Sequence, residues 1–558
     1  MFASTKVGEI GKLGIAALIA GLCSLPAAAD TSDAERVEER LPTAQQPAPE
    51  AASPTPVSPA PGQPELADFP EFTLTRVTIE GMTVIPVERA ERCARGIAGR
   101  RVNGIELAKL AECVTRILRD DGYFLSRAFV PPQEVLDGVL KLRVIEGYVG
   151  AVSVKGMDQV DGERQFMAAL KERPTRLQTF ERALLLLADR PGYRVAASQL
   201  LSDDRDPARY TLSLKITRLL LTSRIFADNR GTDGHGPDQL YAAVAWNSVF
   251  GEADRITGAI FTSPSSTREL LYADLNYFAG WCAGALWTEF GASFSRTEDG
   301  SIPKSVTLRS EADRFYGRAI VPVVRSREQS LWMSVAFDGR EIEESDPLSI
   351  VTDESTRVVR ASVAFNAIGP RSRTDFALEG SRGLDVLGAS HNGDPRLTRP
   401  DARPQFTKLR LDAAHLQRLS EHWDVLVAAA GQLADGALVG GEEFGGGGAR
   451  FGRGYDYSEI TGDHGVAAAA EIRYTARNLL DALASLQVYA FADVAAVWNR
   501  SSDPLLEKAD LSSAGFGVRV SPFPGLTATA EVAKPLSRVI AEEGDRDPRG
   551  FVSLSAAW

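Results

Sequence analysis

From about Leu219 to the last residue, apolar and polar side chains alternate in short segments of eight to twelve residues, separated by clusters of Gly, Asp, Asn, Ser and Pro. Examples are 240–250, 331–338, 514–521 and 526–533. Leu331, Met333, Val335 and Phe337 share one face, opposite Trp332, Ser334 and Ala336. Leu526, Ala528, Ala530 and Val532 likewise oppose Thr527, Thr529 and Glu531. A period of two predicts strands, since successive side chains leave a strand on opposite faces. Apolar faces turned outward and small or polar faces turned inward are the pattern of a transmembrane barrel, although a soluble sandwich alternates too. The end of the chain separates the two readings. Val552, Leu554, Ala556 and the terminal Trp558 line one face, opposite Phe551, Ser553 and Ser555, which predicts a lipid-facing last strand ending in an aromatic residue.

The periodicity upstream is different. Ser32 to Leu41 carries an N-cap residue and acid–base spacing that predict a short helix. Pro42 to Pro70 is rich in Pro, Ala, Ser and Gln and predicts an extended linker. Residues 71–149 predict a β-α-α-β-β unit, with a strand at Phe72–Ile79 and a helix opened by Pro86 and running to Ile97. A second helix places Leu107, Leu110, Val114 and Ile117 on one face, and strands follow at Tyr123–Val130 and Val139–Ile145. Residues 150–217 repeat the plan less cleanly: a strand at Val152–Gly156, helical stretches at Phe166–Leu170 and Thr179–Ala188, then strands at Arg190–Val195 and Tyr210–Ile216. The leucines at 184–187 read as a buried helix face.

Composition narrows the function classes. A net charge of −12 without a long basic run argues against nucleic acid as a partner. Past the first 29 residues no stretch approaches the ~18 consecutive apolar residues of a membrane helix. Residues 1–29 read as a secretory signal: Lys6 and Lys12, an apolar core from Leu13 to Leu25, and small residues Ala27–Ala29 before Asp30. Cys23 lies inside that peptide, preceded by Leu22 where a lipid anchor site has a small residue. Cys93 is in helical phase with Ala90 and Ile97, and Cys113 with Leu110 and Ile117, so both face one small core, as a disulfide or as two buried thiols.

One polar stretch interrupts the strands. Four glycines, Gly445–Gly448, precede Ala449–Gly465, and a short strand is expected at Ala470–Tyr474. Glycine reaches backbone conformations closed to other residues, so this stretch predicts a loop folded back on itself with Arg453 at its tip, between Gly452 and Gly454. A guanidinium so displayed calls for a carboxylate. Some forty residues on, Gln487–Trp498 has an apolar face of Val488, Ala490, Ala492, Val494, Ala496 and Trp498, and Asp493 points the other way, beside Phe491. Glu471, Asp463 and Asp456 are competing partners for Arg453.

The tip Gly452-Arg453-Gly454-Tyr455 resembles the V-R-G-Y/F motif, and Phe491–Ala495 the F-x-D-x-G motif, of outer-membrane barrels with periplasmic POTRA domains. Gly452 replaces the apolar residue before the arginine, and Ala495 the final glycine. Gly122–Gln133 with Asp137–Gly147 resembles the ShlB-type POTRA domain, and Leu184–Gly192 a second POTRA domain. Together these resemble the TpsB (ShlB-like) two-partner secretion transporters. The resemblance implies an α+β portion of two POTRA domains at 71–149 and 150–217, followed at 218–558 by an all-β membrane barrel of about sixteen antiparallel strands. It also implies a lumen loop near 442–465 in which Arg453 pairs with Asp493, and a helix at 30–41 that can occupy the pore.

The partners implied are a secreted exoprotein, unfolded in the periplasm, outer-membrane lipid and the barrel assembly machinery; cofactors are none. An insertase of the same superfamily and a diffusion porin are the alternatives. No phosphate-binding Gly-Lys-Ser/Thr loop, His-Glu-x-x-His or Gly-x-Ser-x-Gly is present, and His235, His391, His415, His422 and His464 lack ligand spacing. The expectation is a transporter and not an enzyme, with neither a metal site nor a cofactor site.

Overall fold

The computed structural model describes residues 33–41, 69–156, 166–168, 170–251, 253–300, 307–480, 483–500 and 508–558. The expected leader at 1–29 and most of the linker lie outside the described residues. Helix α1 (Asp33–Arg40) comes first. The first domain then runs β1 (Phe72–Thr73), β2 (Arg76–Glu80), α2 (Val87–Glu91), β3 (Arg101–Val102), α3 (Gly104–Asp120), β4 (Arg127–Phe129) and β5 (Val139–Ile145). Its main sheet has the order β2-β5-β4, while β1 pairs with β3. Helix α3 starts where its sequence directs. The Asn103 side chain accepts from the Glu106 amide (3.0 Å) and the Glu106 carboxylate accepts from the Asn103 amide (3.1 Å), a capping box. Its stripe of Leu107, Leu110, Ala111, Val114 and Leu118 is buried against the sheet.

Three expectations for this domain are corrected. The strand expected at 72–79 is two pieces, because the chain changes partner at Leu74 and Thr75, whose amides donate to the carbonyls of Arg100 and Gly138. The helix expected to reach Ile97 ends at Glu91 in a 3-10 turn, Arg92–Ala94. A disulfide from Cys93 to Cys113 (Cα–Cα 6.0 Å) ties this turn to α3, and Gly99 completes the reversal at φ +78°. The strand expected at Tyr123–Val130 is reduced to β4, since the Ser126 amide closes a turn on the Tyr123 carbonyl (3.0 Å). Across the helix pair, Arg89 binds Asp121 (2.8 Å for the second of two bonds), and that hydrogen bond holds the Asp121 carboxyl below the usual carboxylate range.

The second domain is built from β6 (Tyr148–Lys155), α4 (Leu177–Ala188), β7 (Tyr193–Ser202) and β8 (Arg209–Arg218), in the sheet order β6-β8-β7. All four leucines at 184–187 are buried, on two different sides. Leu184 and Leu187 pack on the domain's own sheet, whereas Leu186 abuts Gly284 in a turn of the barrel.

The barrel strands are β9 (Leu221–Asp228), β10 (Gln239–Asn247), β11 (Asp254–Thr262), β12 (Leu270–Trp281), β13 (Leu286–Glu298), β14 (Arg309–Arg325), β15 (Gln329–Ser345), β16 (Ile350–Ile368), β17 (Ser372–Gly383), β18 (Thr407–Arg418) and β19 (Trp423–Ala434). A small hairpin of β20 (Phe444–Gly446) and β21 (Ile460–Gly462) intervenes. Then come β22 (His464–Leu480), β23 (Leu483–Trp498), β24 (Lys508–Ser521), β25 (Leu526–Pro535) and β26 (Arg549–Ala557). Sixteen of these close on themselves, each antiparallel to its neighbours, with β26 pairing β9. The apolar faces point outward as the alternation requires: Val335 is 57% exposed and Trp558 68%, whereas Phe551 is buried. Closure leaves no strand edge unpaired in lipid.

The second domain meets one end of the barrel. Asp189 makes a two-pronged pair with Arg325 (2.7 Å each), and Arg182 donates to the Pro322 carbonyl (2.6 Å). The 384–406, 435–463 and 536–548 connections lie at the opposite end.

The Cys93–Cys113 bridge closes a loop of 20 residues, which corresponds to about 3 kcal/mol of stabilisation by chain entropy. A Cys93→Ser, Cys113→Ser variant of the full chain is therefore expected to be cut by protease within 72–147 at lower protease concentration than wild type, with the barrel intact. Equal resistance in this region would contradict that expectation.

Candidate functional site

The connection between β19 and β22, residues 435–463, folds back into the barrel. Phe444, Phe451, Tyr455 and Ile460 of this loop are buried against Ala467, Ala469, Ala495, Val497 and Leu511 of the wall. Two glycines make the fold-back feasible. At Gly447 (φ +118°) a side chain would run into the Asp456 carbonyl, and Gly452 is held at φ +90°, a region that disfavours the apolar residue of the motif. The other departure, Ala495, is matched across the contact. A Cβ on Gly446 would stand 2.9 Å from the Ala495 methyl, so the loop supplies the glycine that the strand lacks. The strand expected at 470–474 is the middle of the much longer β22, whose alternation of alanines continues through the wall.

Arg453 sits among three lumen-facing carboxylates. Its Nη1 is 2.7 Å from Glu471 and 3.5 Å from Glu531, and its Nε is 3.6 Å from Asp493. The guanidinium also lies over the Phe491 ring, 4.1 Å from its centroid. Asp493, 2% exposed, mainly holds the backbone: it accepts from the amides of Gly452 (3.0 Å) and Arg453 (3.4 Å), and from the Ser513 hydroxyl. Ser513 in turn accepts from the Gly454 amide (3.2 Å). Side chain and backbone of the tip are thus gripped by different carboxylates. Arg473 (2.6 Å) and Arg519 (2.8 Å) also bind Glu471, and Arg230 binds Glu531 (2.5 Å) while donating to the Arg453 carbonyl (3.2 Å). A buried charge is tolerable when it is paired; these are, although the Arg453 Nε makes no hydrogen bond and faces Asp493 only at 3.6 Å.

The remaining expected residues are placed elsewhere. Tyr455 is buried, and its hydroxyl donates to the Arg538 carbonyl (3.2 Å). Asp456 pairs with Arg549 (2.8 Å). Asp463 lies at the base of the loop, fully buried, against Arg399 (2.9 Å) and the amides of Leu438 (2.6 Å) and Arg500 (2.7 Å). Glu531, Ser513, Arg230 and Arg519 were missed as site residues. Glu531 was legible on the polar face of 526–533; the other three carried no distinguishing pattern.

Helix α1 lies inside the barrel, between the wall and this loop. Val37 is buried against Phe261, Leu270 and Tyr272, and Ala34 against Ala312 and Ile342. Glu38 binds Arg314 (2.7 Å) and Arg340 (3.2 Å) of the wall. Arg36 faces the other way, donating to the Gly440 carbonyl (2.9 Å) and the Ser458 hydroxyl (3.1 Å) of the loop.

A closed sixteen-stranded barrel, preceded by two small α/β domains and filled by an inward loop and a helix, defines an outer-membrane transporter of the POTRA–barrel class. The chain belongs to the haemolysin secretion/activation protein family ShlB/FhaC/HecB, whose model matches residues 217–520, and the ShlB-type POTRA domain matches residues 72–147. It is 23% identical over 492 residues to the heme/hemopexin transporter protein HuxB of Haemophilus influenzae strain 86-028NP, covering 84% of this chain and 85% of that one. The outer membrane transporter CdiB of Dickeya dadantii strain 3937 is 23% identical over 470 residues, 78% of each chain. The solved structure of CdiB from Escherichia coli shares the fold at a TM-score of 0.70 and 18% identity, covering 97% of this chain and all of that one. The protein is accordingly an outer-membrane transporter of two-partner secretion, with its POTRA domains in the periplasm and the opposite loops at the cell surface.

If Glu471 is the main side-chain partner of Arg453, a double-mutant cycle on barrel unfolding should give a coupling of about 1–3 kcal/mol for Arg453→Ala with Glu471→Ala. The cycle of Arg453→Ala with Asp493→Ala should give less. The reverse ranking would show that the 2.7 Å contact is not the dominant one.

Proposed function

We propose that the transporter rests closed, with α1 as the plug and the 435–463 loop as the gate, and that an exoprotein arriving unfolded in the periplasm opens it. The observation that carries this reading is that helix and loop fill the lumen together and are held there by charge. Glu38 ties α1 to the wall, Arg36 ties it to the loop, and Arg453 ties the loop to the wall. Contacts between ions are strong when water is excluded and weaken as water enters, so an arriving chain that wets the lumen loosens the Glu38 and Arg453 pairs, and water competes with Gly440 and Ser458 for Arg36.

Capture of the exoprotein falls to the POTRA sheets (71–149 and 150–217), where β2 and β4 end one sheet and β6 and β7 the other. An extended chain can add to such an edge by main-chain hydrogen bonds, which read little sequence and suit an unfolded passenger. The passenger then crosses with no catalytic step, drawn outward as it folds at the surface. The barrel-closing strand β26 turns the apolar Val552 and Leu554 to outer-membrane lipid and is the segment offered to the barrel assembly machinery.

The test is secretion by Arg453→Ala at matched levels of assembled, heat-modifiable barrel. Removing one partner of a buried charge set costs about 3–5 kcal/mol, less in a wet pore, so exoprotein at the surface is expected to fall by at least about tenfold while assembly survives. Normal secretion by this variant would overturn the gate reading.

A further inference from the structure

The surface loop between β17 and β18, residues 384–406, touches three other parts of the molecule. On its outer side it runs along β16: the Leu384 amide donates to the Arg357 carbonyl (2.7 Å), the Ser390 amide to the Ser355 carbonyl (2.8 Å), and the Asp353 amide to the Arg396 carbonyl (2.9 Å). On its inner side it grips both legs of the lumen loop. Arg399 binds Asp463 of the returning leg (2.9 Å) and Glu443 of the outgoing leg, and also donates to the Leu438 carbonyl (3.4 Å). The Arg403 amide donates to the Ala437 carbonyl (3.0 Å), and Leu397 and Ala402 are buried with Val439.

Thr398 extends this grip towards the plug. Its hydroxyl donates to Glu354 of β16 (2.8 Å) and accepts from the Gly440 amide (2.9 Å). The carbonyl of the same Gly440 accepts from Arg36 of α1 (2.9 Å). A continuous path of short contacts therefore runs from the wall through Thr398 and Gly440 to the helix. Asp463 takes part in none of the Arg453 contacts, so this fastening is separate from the one at the tip.

We propose that loop 384–406 is a surface clamp on the base of the lumen loop, with Arg399 as its positioning residue, and that through Gly440 it sets how firmly α1 is retained. The inference rests on the reading of α1 as the plug. Because the clamp lies on the exit side and grips the base of the lumen loop, it yields together with that loop when α1 is released. The Glu443 and Asp463 carboxylates, which belong to opposite legs, both meet the same Nη1 of Arg399, while Nη2 turns to Asp401 of the clamp itself (3.5 Å), so a lysine ammonium keeps the first contact and loses the second.

Single-channel conductance in a planar bilayer tests the clamp, using the full mature chain, the Arg399→Gln and Arg399→Lys variants, and a chain lacking residues 33–41. The deletion is expected to open the channel. Arg399→Gln is expected to raise open probability by about tenfold over wild type, equivalent to about 1.4 kcal/mol, and Arg399→Lys by less. A role confined to stability would lower the yield of assembled barrel and leave the gating of assembled channels unchanged. Should Arg399→Gln fail to assemble, Thr398→Val, which cuts the path at Gly440, carries the same expectation. An assembled variant as closed as wild type, beside an open deletion, overturns the clamp. A deletion that stays closed instead overturns the plug reading, and the clamp's link to α1 with it.

Discussion

The lumen of this barrel is organised by one constraint: charges removed from water must be paired where they lie. Arg453, Glu471, Asp493 and Glu531 are all buried where the loop tip meets the wall, and Arg230, Arg473 and Arg519 complete the set. Such a cluster adds little net stability over an apolar filling, since desolvation offsets much of the attraction. What it provides is specificity of position. An apolar tip could slide along the alanine-rich wall of β22 and β23, whereas a guanidinium among three carboxylates, with two of its neighbouring amides on Asp493, has one register. The same attraction is reversible in a way that apolar packing is not, because admitted water weakens it.

That logic extends outward in layers. The tip is pinned to β22, β23 and β25; the base is pinned by Asp463 and Arg399; and Glu442, at the start of the loop's hairpin, is held by Arg360 (2.5 Å) and Lys408 (2.6 Å) of the wall. Helix α1 uses the leftover surface, opposing one acid to the wall and one base to the loop. Its eight residues cannot fold alone, since nucleation outweighs so few hydrogen bonds, so the helix exists because the lumen holds it. Release from the lumen and loss of helix are accordingly one event. At the other end, the Asp189–Arg325 pair fixes the second POTRA domain against the end of the barrel.

Much of this was legible in the chain, for physical reasons. A strand between lipid and lumen must alternate, so 331–338, 526–533 and the last strand announced both their conformation and their outward face. Asp493 could be picked out because a carboxylate on the inner face of such a strand needs a partner. The division of labour at the tip was not legible: whether Arg453 meets Asp493 or Glu471 depends on the register of β22 against β23, and the sequence carries no mark of register within a run of alanines. For α1 the expectation of a place in the pore came from the family resemblance alone, since what holds the helix is scattered over Phe261, Tyr272, Arg314, Arg340 and Gly440. In the first POTRA domain Leu107, Leu110 and Val114 are buried as expected and Ile117 only partly, while the ends of the strands and of the first helix differ. Tyr123 and Leu125 are buried as an alternating strand would have them, yet they sit in a turn.

The central claim is that α1 must leave the lumen before a passenger can cross, and a reversible lock tests it most directly. Ala34 of α1 and Ala312 of β14 share one buried apolar cluster, so cysteines are placed at these two positions, with Cys282 replaced, and oxidised on intact cells. The account predicts that the oxidised transporter stops secreting and that reduction restores secretion, while either single cysteine variant secretes under both conditions. Normal secretion by barrels shown to be fully cross-linked would contradict it.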